Sequence, residues 1–167
     1  GGTPSLAMTP RARLPLRILI VGDGGWGSAL ALLLAQAGHD VALWSHDAAY
    51  AAEIARTRQN PRYLPGFELP TTLRVGHDAT SLAEGAELVV SAVPTQFVRP
   101  IWAGLVASVP EHVPVVSVTK GLEEGTLLRP TQVLAQLVGD RPVAVLSGPN
   151  IAREVARGLP AATVVAS

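Results

Sequence analysis

The chain has 167 residues, 48% of them apolar and 16% charged, with 13 basic and 13 acidic side chains and no cysteine. That length and apolar content suffice for one domain with its own core and exclude a disordered chain. Zero formal net charge removes the electrostatic case for a nucleic-acid or anionic-membrane partner, and the missing cysteines exclude disulfides and thiolate metal sites, which fits a reducing compartment such as the cytoplasm.

Gly1 to Leu16 lacks apolar periodicity and reads as a flexible leader or a cloning remnant, with Met8 as a native start. Residues 17–167 read as one domain. A first strand is predicted over Arg17–Val21 and a first helix over Gly25–Ala37, closed by Gly38. The longest apolar run, Ala29–Ala35, lies in that helix and falls far short of the ~20 residues that cross a bilayer. Asp40–Trp44 predicts a second strand, and Asp47–Thr57 a helix with Asp47 as N-cap. Gln59–Thr72 reads as a proline-rich loop. A short strand over Leu73–Val75 and a short helix over Ser81–Glu84 follow.

Glu87–Val93 is a central strand stopped by Pro94. Thr95 is placed to cap a helix reaching about Ser108, bent or delayed by Pro100. Val113–Val118 is a buried strand, Thr119–Glu123 a turn, Arg129–Val138 a helix and Pro142–Leu146 a strand. Ser147–Asn150 is then an exit turn, a helix runs from Pro149 or Asn150 to Arg157, and Ala161–Ala166 begins a last strand. Strands alternating with helices predict an α/β, Rossmann-type, doubly wound and mostly parallel sheet with helices on both faces. Ligands of such folds lie beyond the carboxyl ends of the strands, so one cleft is expected to collect all the strand exits.

The first exit is Gly22-Asp23-Gly24-Gly25-Trp26-Gly27, a G-x-G-x-x-G match between a strand and a helix. Gly22 would make the tight turn, Gly24 would let a pyrophosphate approach the backbone, and Gly27 would let the helix pack closely on the sheet. The helix N-terminus would offer unpaired N–H groups and the positive end of its dipole. Trp26 is either packing or an apolar wall for the ligand. Where a NAD-selective unit carries an acid at the end of strand two, this chain has Trp44-Ser45-His46-Asp47. Ser45 and His46 are donors suited to a 2′-phosphate, which favours NADP(H) over NAD(H) mildly. His46 is otherwise an exposed loop histidine. Asp47, as a cap, would point at backbone amides.

All basic residues are arginine except Lys120, at a strand exit. There an ammonium can hold a substrate oxygen or polarise a carbonyl that receives hydride; otherwise it is a surface turn lysine. Asn150 is a helix cap, a substrate donor, or both. Phe97 is either a cover for the nicotinamide or core. His39, His77 and His112 lack partners at ligand spacing and read as surface residues.

These segments together resemble the N-terminal domain of soluble NAD(P)-dependent glycerol-3-phosphate dehydrogenase. The match includes Gly22–Ala31, Leu43–Asp47, Asn60–Gly66, Ala92–Pro94, Thr119–Glu123 and Leu146–Ala156. The resemblance implies reversible hydride transfer between NAD(P)H and dihydroxyacetone phosphate, giving sn-glycerol 3-phosphate for phospholipid synthesis. By motif position it assigns Gly25, Trp26, His46, Asp47, Tyr63 and Ala152 to the cofactor, Lys120 to cofactor and substrate, and Gly148 and Asn150 to substrate. Asp23 stands where a small residue is usual and would weaken phosphate binding unless it points away. Asn150 stands where serine or threonine is common. The family continues into a helical domain that carries the acid/base lysine and the phosphate-gripping groups, so this chain alone is expected to bind cofactor weakly and turn over negligibly. A homodimer is compatible with the sequence. Competing readings are a related dehydrogenase of hydroxyacid or hydroxyacyl substrates and a non-catalytic dinucleotide-binding module.

Overall fold

A computed structural model describes residues 15–147 and 164–166. The leader through residue 14 and the exit helix expected after Asn150 lie outside the described residues. Period-2 burial sets the architecture. In β1 (Arg17–Val21), Ile18 and Ile20 pack into one core and Leu19 and Val21 into another. A strand buried on both faces needs helices above and below it. α1 (Gly25–Gln36) and α2 (Ala48–Thr57) contribute Leu30, Ala31, Tyr50 and Ile54 to the first core. α3 (Ala79–Ala83), α4 (Thr95–Leu105) and α5 (Pro130–Leu137) contribute Leu82, Val98, Trp102 and Leu134 to the second.

The remaining strands are β2 (Asp40–Trp44), β3 (Gln59–Asn60), β4 (Leu64–Glu68), β5 (Arg74–Gly76), β6 (Leu88–Ser91), β7 (Val115–Ser117), β8 (Val143–Ser147) and β9 (Val164–Ala166). One sheet runs β5-β2-β1-β6-β7-β8-β9. Its first six strands are parallel, and β9 pairs antiparallel with β8. β1 is flanked by β2 on one side and β6 on the other, with Ile20 opposite both Leu43 and Val90. The strand order therefore reverses beside β1, which places a crevice beyond its carboxyl end. Among the described residues no helix is long and apolar enough to cross a membrane.

The expected strands and helices recur with small shifts. Asp47 caps α2, its Oδ1 accepting from Tyr50 N at 3.0 Å. Gly38 follows α1 at φ 95°, a left-handed exit. Leu16, assigned to the leader, already joins the fold: its carbonyl accepts from Asp40 N at 3.0 Å and its N–H donates to His39 Nδ1 at 3.0 Å. Two expectations require correction. The proline-rich stretch is not wholly a loop, because β3 and β4 pair antiparallel through Gln59–Glu68 and Asn60–Leu64, with an irregular register. This two-stranded ribbon stands outside the main sheet, where proline is tolerated. Thr95 does not cap α4. Pro94 holds the N-cap position without a side-chain bond, and the helix starts on time with Pro100 inside it.

Trp102 is the largest fully buried side chain, and its indole N–H donates to Ser91 Oγ at 2.9 Å beneath β6. Trp102→Ala is expected to cost about 3–5 kcal/mol through cavity formation and the lost bond. Phe97→Ala, at a position 51% exposed on the same helix, is expected to cost under ~1 kcal/mol. Urea unfolding of the two variants checks the contrast.

Candidate functional site

The glycine turn is dictated by backbone contacts. Gly22 has φ 115°, its N–H donates to Trp44 O at 2.9 Å, and a Cβ there would lie 2.9 Å from Ala92 O. A Cβ on residue 27 would lie 1.9 Å from Gly22 O, so the first turn of α1 sits directly against the strand exit. A Cβ on residue 24 would meet nothing within 4 Å. Gly22 and Gly27 are thus demanded by packing, while Gly24 between them faces open space. The first amide of α1 with an intrahelical partner is Ser28 N, bonded to Gly24 O at 2.9 Å. The amides before it have no intrahelical acceptor and sit at the positive end of the dipole. An open backbone and unpaired amides suit an anionic phosphate group.

A buried polar cluster fixes this turn from below. Asp23, 4% exposed, directs Oδ2 at Ser45 Oγ, which donates at 2.7 Å. The Asp23 carbonyl accepts from Ser28 Oγ at 2.8 Å and from Asn60 Nδ2 at 2.9 Å. Asn60 Nδ2 also lies 2.8 Å from Ser28 Oγ, and Asn60 Oδ1 accepts from the Tyr50 hydroxyl and, at 3.2 Å, from Tyr63 N. Asn60 therefore ties the β3–β4 hairpin, which carries Tyr63, to the glycine turn. The Tyr63 carbonyl would lie 3.1 Å from a Cβ on residue 25. Asp23 consequently points toward β2, and Ser45, fully buried with its hydroxyl on Asp23, is not available to a 2′-phosphate.

Above the turn lies a cavity of about 350 Å³, lined by Gly22, Asp23 and Gly24 from the first exit, Trp44 and His46 from the second, and Tyr63 from the hairpin. Ala92 to Pro94 and one face of α4, including Phe97, complete it. Tyr63 and Phe97 are about half exposed there. The cavity occupies the switch point between β1 and β6. Trp44 is locked in place: its ring stacks on His77, with centroids 5.7 Å apart, and its indole N–H donates to His77 O at 2.8 Å. His77 thus has a structural role that its sequence position did not show. Trp26 does not line the cavity; it is half-buried and packs against the core under α1. Asp47 is committed to the α2 cap. The Tyr50 N–H holds its carboxyl below the usual range, with Arg62 at 3.9 Å adding to the effect.

The strand exits do not all meet in one cavity. Lys120 is exposed and lines a neighbouring hollow of about 370 Å³ with Thr119, Gly121, Leu122 and the start of α5. The Lys120 turn is nevertheless coupled to the first cavity through α4. The Thr95 hydroxyl donates to the Lys120 carbonyl, and Arg99 forms a bidentate pair with Glu123, Nε to Oε2 at 2.9 Å and Nη2 to Oε1 at 2.9 Å. Arg99, then Thr126, lower the Glu123 carboxyl, and the same pair raises Arg99. A lowered carboxyl stabilises the fold at neutral pH, and that contribution is lost as pH falls through its folded value. Gly148, Asn150 and Ala152 lie outside the described residues. Among the described residues no cluster of three metal-ligating side chains occurs.

Sequence reasoning missed the roles of Asn60 and Ser28 and gave Thr95 a different one; the Asn60 and Thr95 bonds run to backbone distant in the chain. Asn60→Ala would leave the Tyr50 hydroxyl without its buried acceptor and remove one of the two donors to the Asp23 carbonyl, at a cost of about 1–3 kcal/mol. Hydrogen exchange should show faster opening of the Gln59–Glu68 amides in this variant while those of β1 keep their protection relative to global stability.

Comparison with known proteins agrees with this geometry. Residues 17–167 match the family described as NAD-dependent glycerol-3-phosphate dehydrogenase N-terminus. The chain is 46% identical over 157 residues to a glycerol-3-phosphate dehydrogenase [NAD(P)+] of Nocardia farcinica, covering 90% of this chain and 46% of that protein. It is 46% identical over 158 residues to the enzyme of the same name from Anaeromyxobacter sp. (strain K), covering 91% and 47%. Among solved structures, glycerol-3-phosphate dehydrogenase from Coxiella burnetii superposes with a TM-score of 0.79 at 36% identity, over 89% of this chain and 46% of that one. The yeast enzyme GPD1 superposes with a TM-score of 0.75 at 28% identity, over 92% and 47%. The chain spans about half the length of these relatives. With its glycine turn, switch-point cavity and match over residues 17–167, the chain belongs to the NAD-dependent glycerol-3-phosphate dehydrogenase N-terminal family.

Proposed function

We propose that this chain is the dinucleotide-holding half of an enzyme that transfers hydride between NAD(P)H and dihydroxyacetone phosphate, forming sn-glycerol 3-phosphate. The observation that carries the reading is the open backbone at Gly24 between two glycines that packing demands, set at the sheet's switch point. The nicotinamide cofactor, when bound, supplies the hydride. The chain's own groups hold and orient it. Amides from Gly24, Gly25, Trp26 and Gly27 receive the pyrophosphate, and Trp26 keeps the helix start seated against the core. His46 and Asp47 border the adenosine end at the exit of β2. Tyr63 from the hairpin and Phe97 from α4 cover the cofactor and exclude water, and Ala152 belongs to the same cofactor set.

Lys120 is proposed to bridge cofactor and substrate, its ammonium stabilising negative charge that develops on the carbonyl oxygen. Gly148 and Asn150 complete the substrate side. The coupling of the Lys120 turn to α4 by Thr95 and Arg99 supports a fixed distance between this lysine and the cavity. The general acid and the groups gripping the substrate phosphate are assigned to a further helical domain, which the half-length match to the relatives supports. The cysteine-free composition supports a cytoplasmic setting, and a homodimer is the assembly proposed.

Titration of the chain with NADH, followed by the fluorescence of Trp26 and Trp44, is expected to show saturable binding. Turnover of dihydroxyacetone phosphate by the chain alone is expected to lie below that of a complete relative by at least the ~10²–10⁴ contributed by one positioned proton donor. Absence of saturable binding would contradict the cofactor assignment, and robust turnover would contradict the division of labour.

A further inference from the structure

Asp23 is the acidic residue of the cavity, and the reading above gives it no contact with the cofactor. It sits in the glycine turn, yet its carboxylate lies at the exit of β2, 2.7 Å from the hydroxyl of Ser45, the first residue after that strand. In a NAD-selective dinucleotide fold an acidic side chain at this exit meets the ribose 2′-hydroxyl. Here the exit's own residues are Ser45, His46 and Asp47. Ser45 is buried under Asp23, and Asp47 caps α2. A negative charge is therefore delivered to the usual place from a neighbouring strand. Asp23 is 4% exposed, lines the cavity and has its backbone carbonyl pinned by Ser28 and Asn60, so the carboxylate is held at the site.

We infer that Asp23 is the specificity-determining residue of the cofactor site, setting a preference for NAD(H) over NADP(H) by opposing a 2′-phosphate at the β2 exit. The inference rests on the cofactor assignment made above and concerns only the choice within the pair. Two donors border this region. His46 lines the cavity and works against the preference as a hydrogen-bond donor to phosphate. Arg62 is engaged by Asp47 at 3.9 Å and lies over the Tyr50 ring, 4.1 Å from its centroid. The 2′-phosphate carries up to two negative charges, and the buried carboxylate is poorly screened, so the balance goes to repulsion. A carboxylate also accepts from a ribose hydroxyl, which a 2′-phosphate cannot offer.

The test is a pair of fluorescence titrations of the chain at low salt, with NADH and with NADPH, repeated with 5′-AMP and 2′,5′-ADP as competitors. The wild-type chain is expected to bind NADH about tenfold or more tightly than NADPH, and 5′-AMP more tightly than 2′,5′-ADP. Asp23→Asn keeps an acceptor for Ser45 and removes the charge, so the preference for NADH over NADPH should fall about tenfold. Circular dichroism verifies the fold of the variant, and the wild-type preference decides the matter if that variant does not fold. An Asn variant with an unchanged ratio, or a wild-type chain that prefers NADPH, overturns the inference while leaving the cofactor assignment standing. If neither dinucleotide binds, both fall.

Discussion

The carbonyl oxygen of Gly22 lies where any side chain on residue 27 would have to be, 1.9 Å from a Cβ built there. That single approach of helix to strand governs the rest of the site. It brings the N-terminus of α1 down onto the end of β1, so its unpaired amides open beside Ala92 and Val93 at the sheet's reversal point. Gly22 itself has a left-handed φ and no room for a Cβ beside Ala92 O. The turn is thus constrained by packing on both sides, while Gly24 between them faces open space. A cradle for phosphate follows from packing alone, before any charged side chain is considered.

A turn built only from glycines would be loose, because glycine loses the most conformational freedom on folding. The cluster of Asp23, Ser28, Ser45, Asn60 and Tyr50 offsets this by bonding the turn's carbonyl and side chain to β2, α1 and the hairpin. Every member is buried, and the Asp23–Ser45, Asp23–Asn60 and Ser28–Asn60 bonds link elements far apart in sequence. The same logic operates around Lys120, where Thr95 and the Arg99–Glu123 pair join the lysine turn to α4. The two hollows are therefore mechanically connected through one helix, although the side chains that line them are separate.

The period-2 runs, the glycine spacing and the Asp47 cap were legible because each depends on residues close in the chain. The family resemblance, carried by blocks such as Tyr63–Gly66 and Thr119–Glu123, was legible for the same reason. The β3–β4 hairpin was not, because Pro61, Pro65 and Gly66 read as breakers and its pairing is short and irregular. Asn60 falls in the stretch that reads as a proline-rich loop, and its role emerges only when Asp23 and Ser28 are brought beside it. Thr95 looked like a cap because it follows a strand-ending proline, but Pro94 takes that position and frees the hydroxyl for Lys120. Asp23 looked like a liability near phosphate until the fold turned it toward Ser45.

The central claim is that the glycine turn at the exit of β1 receives the dinucleotide. Amide chemical-shift mapping of the ¹⁵N-labelled chain during titration with NADH tests it most directly. The account predicts that the largest changes fall on Gly24 to Ser28, with further changes at Ser45, His46, Ala92 and Val93. Changes centred instead on the surface hollow formed by Glu111, His112 and Gly139–Arg141, with the glycine turn unmoved, would contradict it.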